Sequence, residues 1–227
     1  MTKRLLPLSA VLIGVLALAF VAVGQSKPAP APPVTRTVSG QVLKSKATPA
    51  VRLEFPRAFK YVGSQSFVLY DVANAEQHFF VDADQEGRVK RFFWIQFEGY
   101  LPTNNNSYKY KLTKVINIGG FDFIADAYPR SLQGDLGRPD SDGNRARAFL
   151  ASKGLRMAGT EIISERLVHL VDAAKRNELM IIYTEDLSDT GLTAADLGEG
   201  GKAHDRWNDL AHGLLDRALK NMKVSAR

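Results

Sequence analysis

The constraint that most limits the fold is a series of short β-type segments whose connecting loops are mostly too short to hold a helix. Between residues 51 and 128, β-branched and aromatic residues recur in short segments separated by Gly, Asp and Ser. Parallel neighbouring strands need a crossover of a dozen or more residues, so the short loops predict an antiparallel meander of hairpins. The predicted strands are residues 51–55, 59–62, 67–72, 77–81, 88–101, 115–118 and 121–128.

Three of the connections have the composition of turns. Residues 63–66 (Gly-Ser-Gln-Ser) and 82–87 are typical of hairpin loops, and the second has a glycine at its exit. Gly119 and Gly120 predict a bulge or bend between two strands.

Two helices are predicted in the second half of the chain. Ser141 or Asp142 can cap the first, and Gly154 ends it. In the last segment, apolar residues recur at three- and four-residue steps, as they do on one face of an amphipathic helix. These residues are Trp207, Leu210, Ala211, Leu214, Leu215, Ala218, Leu219 and Met222.

Between the helices, residues 161–171 and 178–187 predict two more strands. A helix over residues 164–175 is the alternative, because Leu167 and Leu170 also fit helical spacing. The sequence therefore predicts an α+β fold, in which two or three helices pack on one side of a twisted antiparallel sheet of β-meander hairpins.

Residues 1–24 predict a signal peptide or an N-terminal membrane anchor. Lys3 and Arg4 precede an almost wholly apolar stretch, residues 5–23, and Ala22 and Gly24 occupy the small-residue positions that signal peptidase reads. The stretch is also nearly long enough to span a bilayer, so a retained anchor is the alternative to cleavage. In both cases the remainder is expected outside the cytoplasm, periplasmic or secreted.

The leader is followed by a spacer and then by a single domain. Residues 25–36 form a Pro/Ala-rich linker, in which alternating proline favours extended polyproline II over helix or sheet. Residues 37–227 are predicted to be one α+β domain, a size that supports a sizeable core. Contact with a membrane is expected only through the N-terminal segment.

Composition excludes several classes of function. The chain has no cysteine, so disulfides, thiolate metal sites, cysteine nucleophiles and an acylated lipoprotein anchor are all absent. The formal charge is +6, and removing Lys3 and Arg4 with the leader leaves 6 − 2 = +4. That mild charge does not by itself indicate nucleic acid as a partner.

Motifs for catalysis, nucleotides and metals fail on detail. The glycine-rich residues 198–202 resemble a phosphate loop, but Ala203 follows the lysine where a hydroxyl is needed. The acidic loop 82–87 resembles the opening of a calcium loop, but Phe93 stands where a bidentate glutamate is needed. We therefore expect no cofactor, no metal site and no recognisable catalytic residue.

The most informative segment is the predicted strand at residues 88–101, because large side chains occupy both of its faces. One face is mainly apolar, and the other carries Phe92, Trp94, Gln96, Glu98 and Tyr100. Aromatic side chains of this size indicate either that both faces are covered or that the second lines a ligand pocket. The candidate ligand-binding residues are thus Trp94, Gln96, Glu98 and Tyr100.

The alternative is that the C-terminal helix covers this face with Trp207 and its leucines, leaving Gln96 and Glu98 at the rim.

These observations favour a non-enzymatic binding or accessory module that takes a partner protein, a wall polymer or an apolar ligand. An extracytoplasmic hydrolase is the alternative, with an active site assembled from distant residues such as Glu98, His78 or His169. A histidine within hydrogen-bond reach of a carboxylate or serine in a cleft would favour the hydrolase. A large exposed apolar patch would instead favour a structural assembly component.

Overall fold

A computed structural model describes residues 30–111, 114–134 and 136–227 of the chain. The predicted leader, with its apolar stretch at residues 5–23, lies outside the described residues, as do residues 25–29 of the linker. Within the described ranges, no helix is both long enough and apolar enough to cross a membrane.

The structure consists of twelve strands and three α-helices over these ranges. The strands are β1 (Thr37–Ser39), β2 (Val42–Lys44), β3 (Val51–Glu54), β4 (Lys60–Leu69), β5 (Ala73–Ala83), β6 (Arg88–Tyr100), β7 (Lys114–Ile118), β8 (Phe121–Ser131), β9 (Arg156–Met157), β10 (Glu161–Leu170), β11 (Asn177–Asp186) and β12 (Lys223–Ala226). The helices are α1 (Asp142–Ser152), α2 (Ala194–Leu197) and α3 (Trp207–Lys220).

Seven long strands form the main sheet in the order β4-β5-β6-β11-β10-β8-β7, and each neighbouring pair is antiparallel. The short β9 adds to β6 in parallel. A second, four-stranded sheet has the order β1-β2-β3-β12. The predicted α+β fold, with meander hairpins and a C-terminal amphipathic helix, is confirmed.

Both faces of the main sheet are covered. The α3 face, which carries Phe93, Ile95 and Phe97 of β6, packs against the small sheet and the apolar side of α3 in one continuous core. The α1 face, which carries Phe92 and Trp94, packs against α1 in a second core. The helices therefore lie on two sides of the sheet, whereas the sequence analysis expected them on one.

The predicted hairpin at residues 63–66 is wrong. These residues lie inside the single strand β4, and the register with β5 shifts between Tyr61 and Gly63, which marks a bulge. Gly63 has φ +125°, and a Cβ there would lie 3.1 Å from Cζ of Phe149 on α1. Glycine is needed for the bulge and for the close approach of α1, so its presence did not signal a turn.

The other local predictions mostly agree with the structure. Ser141 caps α1 by accepting a hydrogen bond from the backbone N–H of Asn144, and Gly154 follows the helix with φ +73°. Residues 161–170 are the strand β10, which excludes the helical alternative there. Gly119 and Gly120 both have positive φ and form the tight turn between β7 and β8.

Candidate functional site

The four candidate ligand-binding residues share one face of β6 but do not form one site. Trp94 lines a cleft between the sheet and α1, whereas Glu98 and Tyr100 line a separate cavity of about 270 Å³. Gln96 lies between them, is completely buried and lines neither. The C-terminal helix does not cover this face, because Trp207 packs in the core on the opposite side of the sheet.

A row of buried polar side chains crosses the α1 face near Gln96. Gln65 Nε2 donates to Gln77 Oε1 at 2.7 Å, and Gln77 Nε2 donates to Gln96 Oε1 at the same distance. Gln96 Nε2 in turn donates to Glu98 Oε2 at 2.5 Å, and Tyr108 OH donates to Glu98 Oε1 at 2.8 Å. The row is satisfied by its own members, which stabilises it as structure and leaves Gln96 no free group for a ligand.

A second carboxyl group lies opposite the first. Glu178 of β11 is the register partner of Glu98 on β6, is 3% exposed, and accepts a hydrogen bond from Tyr110 OH at 2.7 Å. Burial, reinforced by the charge of Glu98, raises the pKa of Glu178 to about 8. Burial also raises the pKa of Glu98. We call these two residues the carboxyl pair.

The segment after β6 covers the carboxyl pair. Tyr108 packs its ring on that of Tyr100, with ring centres 4.5 Å apart, and its backbone N–H donates to the carbonyl of Lys175 at 2.8 Å. The guanidinium of Arg176 donates to three backbone carbonyls of the same segment. Tyr100 is therefore part of the cover over the polar row.

The cleft that Trp94 lines is the strongest candidate for a binding site, and we call it the α1 cleft. Its volume is about 90 Å³. The sheet side is aromatic, with Phe92, Trp94 and Tyr128, and α1 supplies Ala146 and Leu150. The walls are therefore mainly apolar, as is typical of small-molecule sites.

The Trp94 indole carries an unmet hydrogen-bond donor in this wall. The side chain is 8% exposed, and its Nε1–H is buried without an acceptor in the described part of the chain. Leaving a buried donor unpaired costs about 1–3 kcal/mol. No other buried side-chain nitrogen or oxygen of the described residues is left in this state.

Few polar groups accompany the apolar walls. Ser164 Oγ and Thr184 Oγ1, on neighbouring strands, lie 2.9 Å apart in a mutual hydrogen bond. Arg130 and Arg147 also line the cleft, and both are exposed. No histidine, aspartate or glutamate is among its described lining residues.

The histidines named in the hydrolase alternative occupy different environments. His78 is fully buried, and its Nε2 lies 2.8 Å from Oε1 of Glu76, while its Nδ1 lies 3.1 Å from Tyr61 OH. Burial acts to raise the pKa of Glu76, but hydrogen bonds from His78, Thr35 and Arg36 lower it to about 2. Glu76 is thus ionised, so His78 Nε2–H donates to it, and Nδ1 of the same ring is hydrogen-bonded to Tyr61 OH.

This buried cluster fastens the end of the linker to the domain. The backbone N–H groups of Thr35 and Arg36 each donate to the Glu76 carboxylate at 2.9 Å, and Arg36 lies 4.1 Å above the ring of Phe97. The carboxylate is saturated with donors and His78 is sealed from solvent. The cluster therefore has the character of a structural anchor.

His169 is oriented by a backbone contact, because its Nδ1–H donates to the carbonyl of Asp122 at 2.9 Å.

The acidic loop 82–87 is an ordinary hairpin turn. Asp84 accepts hydrogen bonds from the backbone N–H groups of Glu86 and Arg88 and from the Arg88 guanidinium. Among the described residues, no group of three or more His, Asp or Glu side chains is placed to hold a metal ion.

The sequence analysis missed most residues of the α1 face. Gln77 and Glu178 meet Gln96 and Glu98 only through strand register, and the α1 side of the cleft comes from a helix some fifty residues further along the chain. The one sequence feature that indicated a site was the series of aromatic residues in β6, which includes Trp94.

Comparison with known proteins adds no further constraint, since no protein-family model, no curated protein and no solved structure matches this chain.

Proposed function

We propose that this protein is an exported, non-enzymatic binding module that takes an apolar group of a small molecule into the α1 cleft. The observation that carries the proposal is the mainly apolar wall of that cleft, which includes Trp94, a residue whose buried Nε1–H has no acceptor among the described residues. A ligand bearing a hydrogen-bond acceptor satisfies this donor, while its apolar part replaces water on the aromatic wall.

Binding is favoured over catalysis by what the α1 cleft contains. The hydroxyl groups of Ser164 and Thr184 are paired with each other, and no described lining residue is an acid or a base of the kind that activates a nucleophile. The hydrolase alternative has its best arrangement at His78 and Glu76, where a sealed imidazole offers a substrate no access.

The predicted location supports a module held close to its attachment point. The leader and proline-rich linker predict export, and the linker ends at Thr35 and Arg36, which are bound to the folded domain through Glu76. We place the ligand site outside the cytoplasm on the strength of these N-terminal features.

A fluorescence titration tests the proposal, because the chain has two tryptophans on opposite faces of the sheet. The Trp207→Phe variant retains only Trp94 in the cleft, and the matched Trp94→Phe variant retains only Trp207. The probe is hexan-1-ol, whose chain is apolar and whose hydroxyl accepts a hydrogen bond. At roughly 0.6 kcal/mol for each of its seven or so non-hydrogen atoms, we expect a Kd of about 1 mM.

The expected result is a saturable change in Trp94 emission and no saturable change in Trp207 emission. A further variant, Gly143→Leu, adds bulk at a cleft-lining position of α1 where an added Cβ would meet only Arg130 Nη1, at 3.8 Å. It should remove the response while the protein stays folded by circular dichroism. Equal responses from the two tryptophans, or none from Trp94, would contradict the proposal.

A further inference from the structure

The opening of the α1 cleft carries two exposed arginines without counter-charges. Arg130 and Arg147 line the cleft, and neither forms an ion pair with a described residue. Most arginines close to the sheet are paired, for example Arg166 with Asp126 at 2.6 Å and Arg217 with Glu185 at 2.8 Å. The two arginines that line the cleft therefore have no counter-charge among the described residues.

The two guanidinium groups make only weak or local hydrogen bonds. Arg130 Nη2 donates to the backbone carbonyl of Leu136 at 3.4 Å, which is long for a hydrogen bond. Arg147 Nη2 donates to Asn144 Oδ1 of its own helix at 2.8 Å. Each guanidinium has five N–H donors, so both retain donors for an added acceptor.

The two acids at the start of α1, Asp140 and Asp142, make contacts with other residues. Asp140 pairs with Arg138 at 3.0 Å, and the carboxylate of Asp142 accepts from the backbone N–H of Gly143 at 2.7 Å. Neither Asp140 nor Asp142 lines the cleft. The first turn of α1, with Gly143 and Asn144 in the cleft wall, adds the positive end of the helix dipole.

We infer that the ligand of the α1 cleft is an anionic amphiphile: a short apolar chain or ring that ends in a carboxylate, with the chain against Trp94 and the carboxylate between Arg130 and Arg147. This inference rests on the proposed function. The planar guanidinium binds carboxylates in paired hydrogen bonds, and one carboxylate oxygen is also the type of acceptor that Trp94 lacks. The small cleft volume, about 90 Å³, suits a single short chain or one ring.

The test compares two probes of equal chain length, hexanoate and hexan-1-ol, in the Trp207→Phe background described above. Because both arginines are exposed, each contributes only a modest attraction, and we expect hexanoate to bind about fivefold to tenfold more tightly than hexan-1-ol at low salt. In the double variant Arg130→Gln/Arg147→Gln, this preference for hexanoate over hexan-1-ol should disappear.

A matched control separates local from global charge effects. Arg206→Gln removes one positive charge at an exposed position just before α3, on the other side of the sheet. The preference for hexanoate should survive in this variant. It should also weaken as the salt concentration rises from about 20 mM to about 0.5 M, since exposed charges are screened over that range.

The outcomes of this test separate the inference that the ligand is anionic from the proposal that the α1 cleft binds a ligand. If hexan-1-ol binds but hexanoate binds no more tightly, or if the preference persists in the double variant, the anionic ligand class is wrong and the apolar site stands. If neither probe changes Trp94 emission, the binding function of the cleft is itself refuted. Loss of the preference in Arg206→Gln would also overturn the inference, because the effect would then be one of net charge.

Discussion

Glu178→Gln should remove a large part of the pH dependence of stability of this protein. Glu178 is buried on β11 opposite Glu98, and the pKa of its carboxyl group is raised from an ordinary value of 4.5 to about 8. Between these two values the folded protein holds a proton that the unfolded chain has released. Stability therefore falls as the pH rises through this interval, by about 1.4 kcal/mol per pH unit, and is level above it.

The expected magnitude follows from that interval. Between about pH 5 and the folded pKa near 8, the free energy of unfolding should decrease by about 4 kcal/mol on account of Glu178. Glutamine matches the shape of the protonated carboxyl and can still accept the hydrogen bond from Tyr110 OH. It cannot ionise, so the variant should lack this decrease.

Urea denaturation at about pH 5 and about pH 9 measures the effect, with wild type and variant compared at each pH so that other titrating groups cancel. Glu86→Gln, in the exposed β5–β6 turn, is the control. At the higher pH the Glu178→Gln variant should be the more stable protein. If wild type and Glu178→Gln lose the same stability between the two pH values, the carboxyl pair is not a buried proton-holding site and this reasoning is refuted.

Three further substitutions test other features. Glu76→Gln removes a buried carboxylate whose pKa is lowered from 4.5 to about 2. The ionised carboxylate stabilises the folded protein fully above pH 4.5, and this stabilisation is lost as the pH falls toward 2. The free energy of unfolding of the variant should therefore be about 3 kcal/mol lower at neutral pH. The same variant should be cut faster by trypsin after Arg36, because the linker end is no longer fastened. Gly63→Ala should lower the free energy of unfolding by about 1–2 kcal/mol, since Gly63 has φ +125° and faces Phe149. Gly143→Ala should raise it by about 0.5–1 kcal/mol, because that glycine is helical with open space around it; denaturation midpoints check both.

Prediction from sequence failed where the same residue types are typical of two different structures, a hairpin loop and a bulged strand. The Gly-Ser-Gln-Ser segment has the residues of a hairpin loop, yet Gln65 lies inside β4 and donates to Gln77 in the polar row. The real turn follows β4, where Tyr70 and Asp71 adopt positive φ. Neither is a glycine, so the turn gave no compositional signal.

The candidate site was also predicted only in part from the sequence. The aromatic load of β6 was sufficient to identify Trp94 as a wall residue and to expect cover over both faces. It was not sufficient to identify the cover, and Trp207 proved to lie on the opposite side of the sheet from Trp94. Ligand binding at Trp94, Gln96, Glu98 and Tyr100 stays a prediction; in the structure, Gln96 and Glu98 are also members of the polar row.

By itself, the sequence determined the features that depend on neighbours along the chain: the alternation of most strands, a cap for α1 at Ser141 or Asp142, the apolar stripe of α3 and the absence of any cysteine chemistry. Only the tertiary structure decided which faces meet, because periodicity says which side chains share a face and not what covers it. Strand register placed Glu178 opposite Glu98, eighty positions away, and the path of the chain after β8 brought α1 over Trp94. The carboxyl pair and the cleft exist only through these long-range contacts, since no interaction between neighbours along the chain brings their residues together.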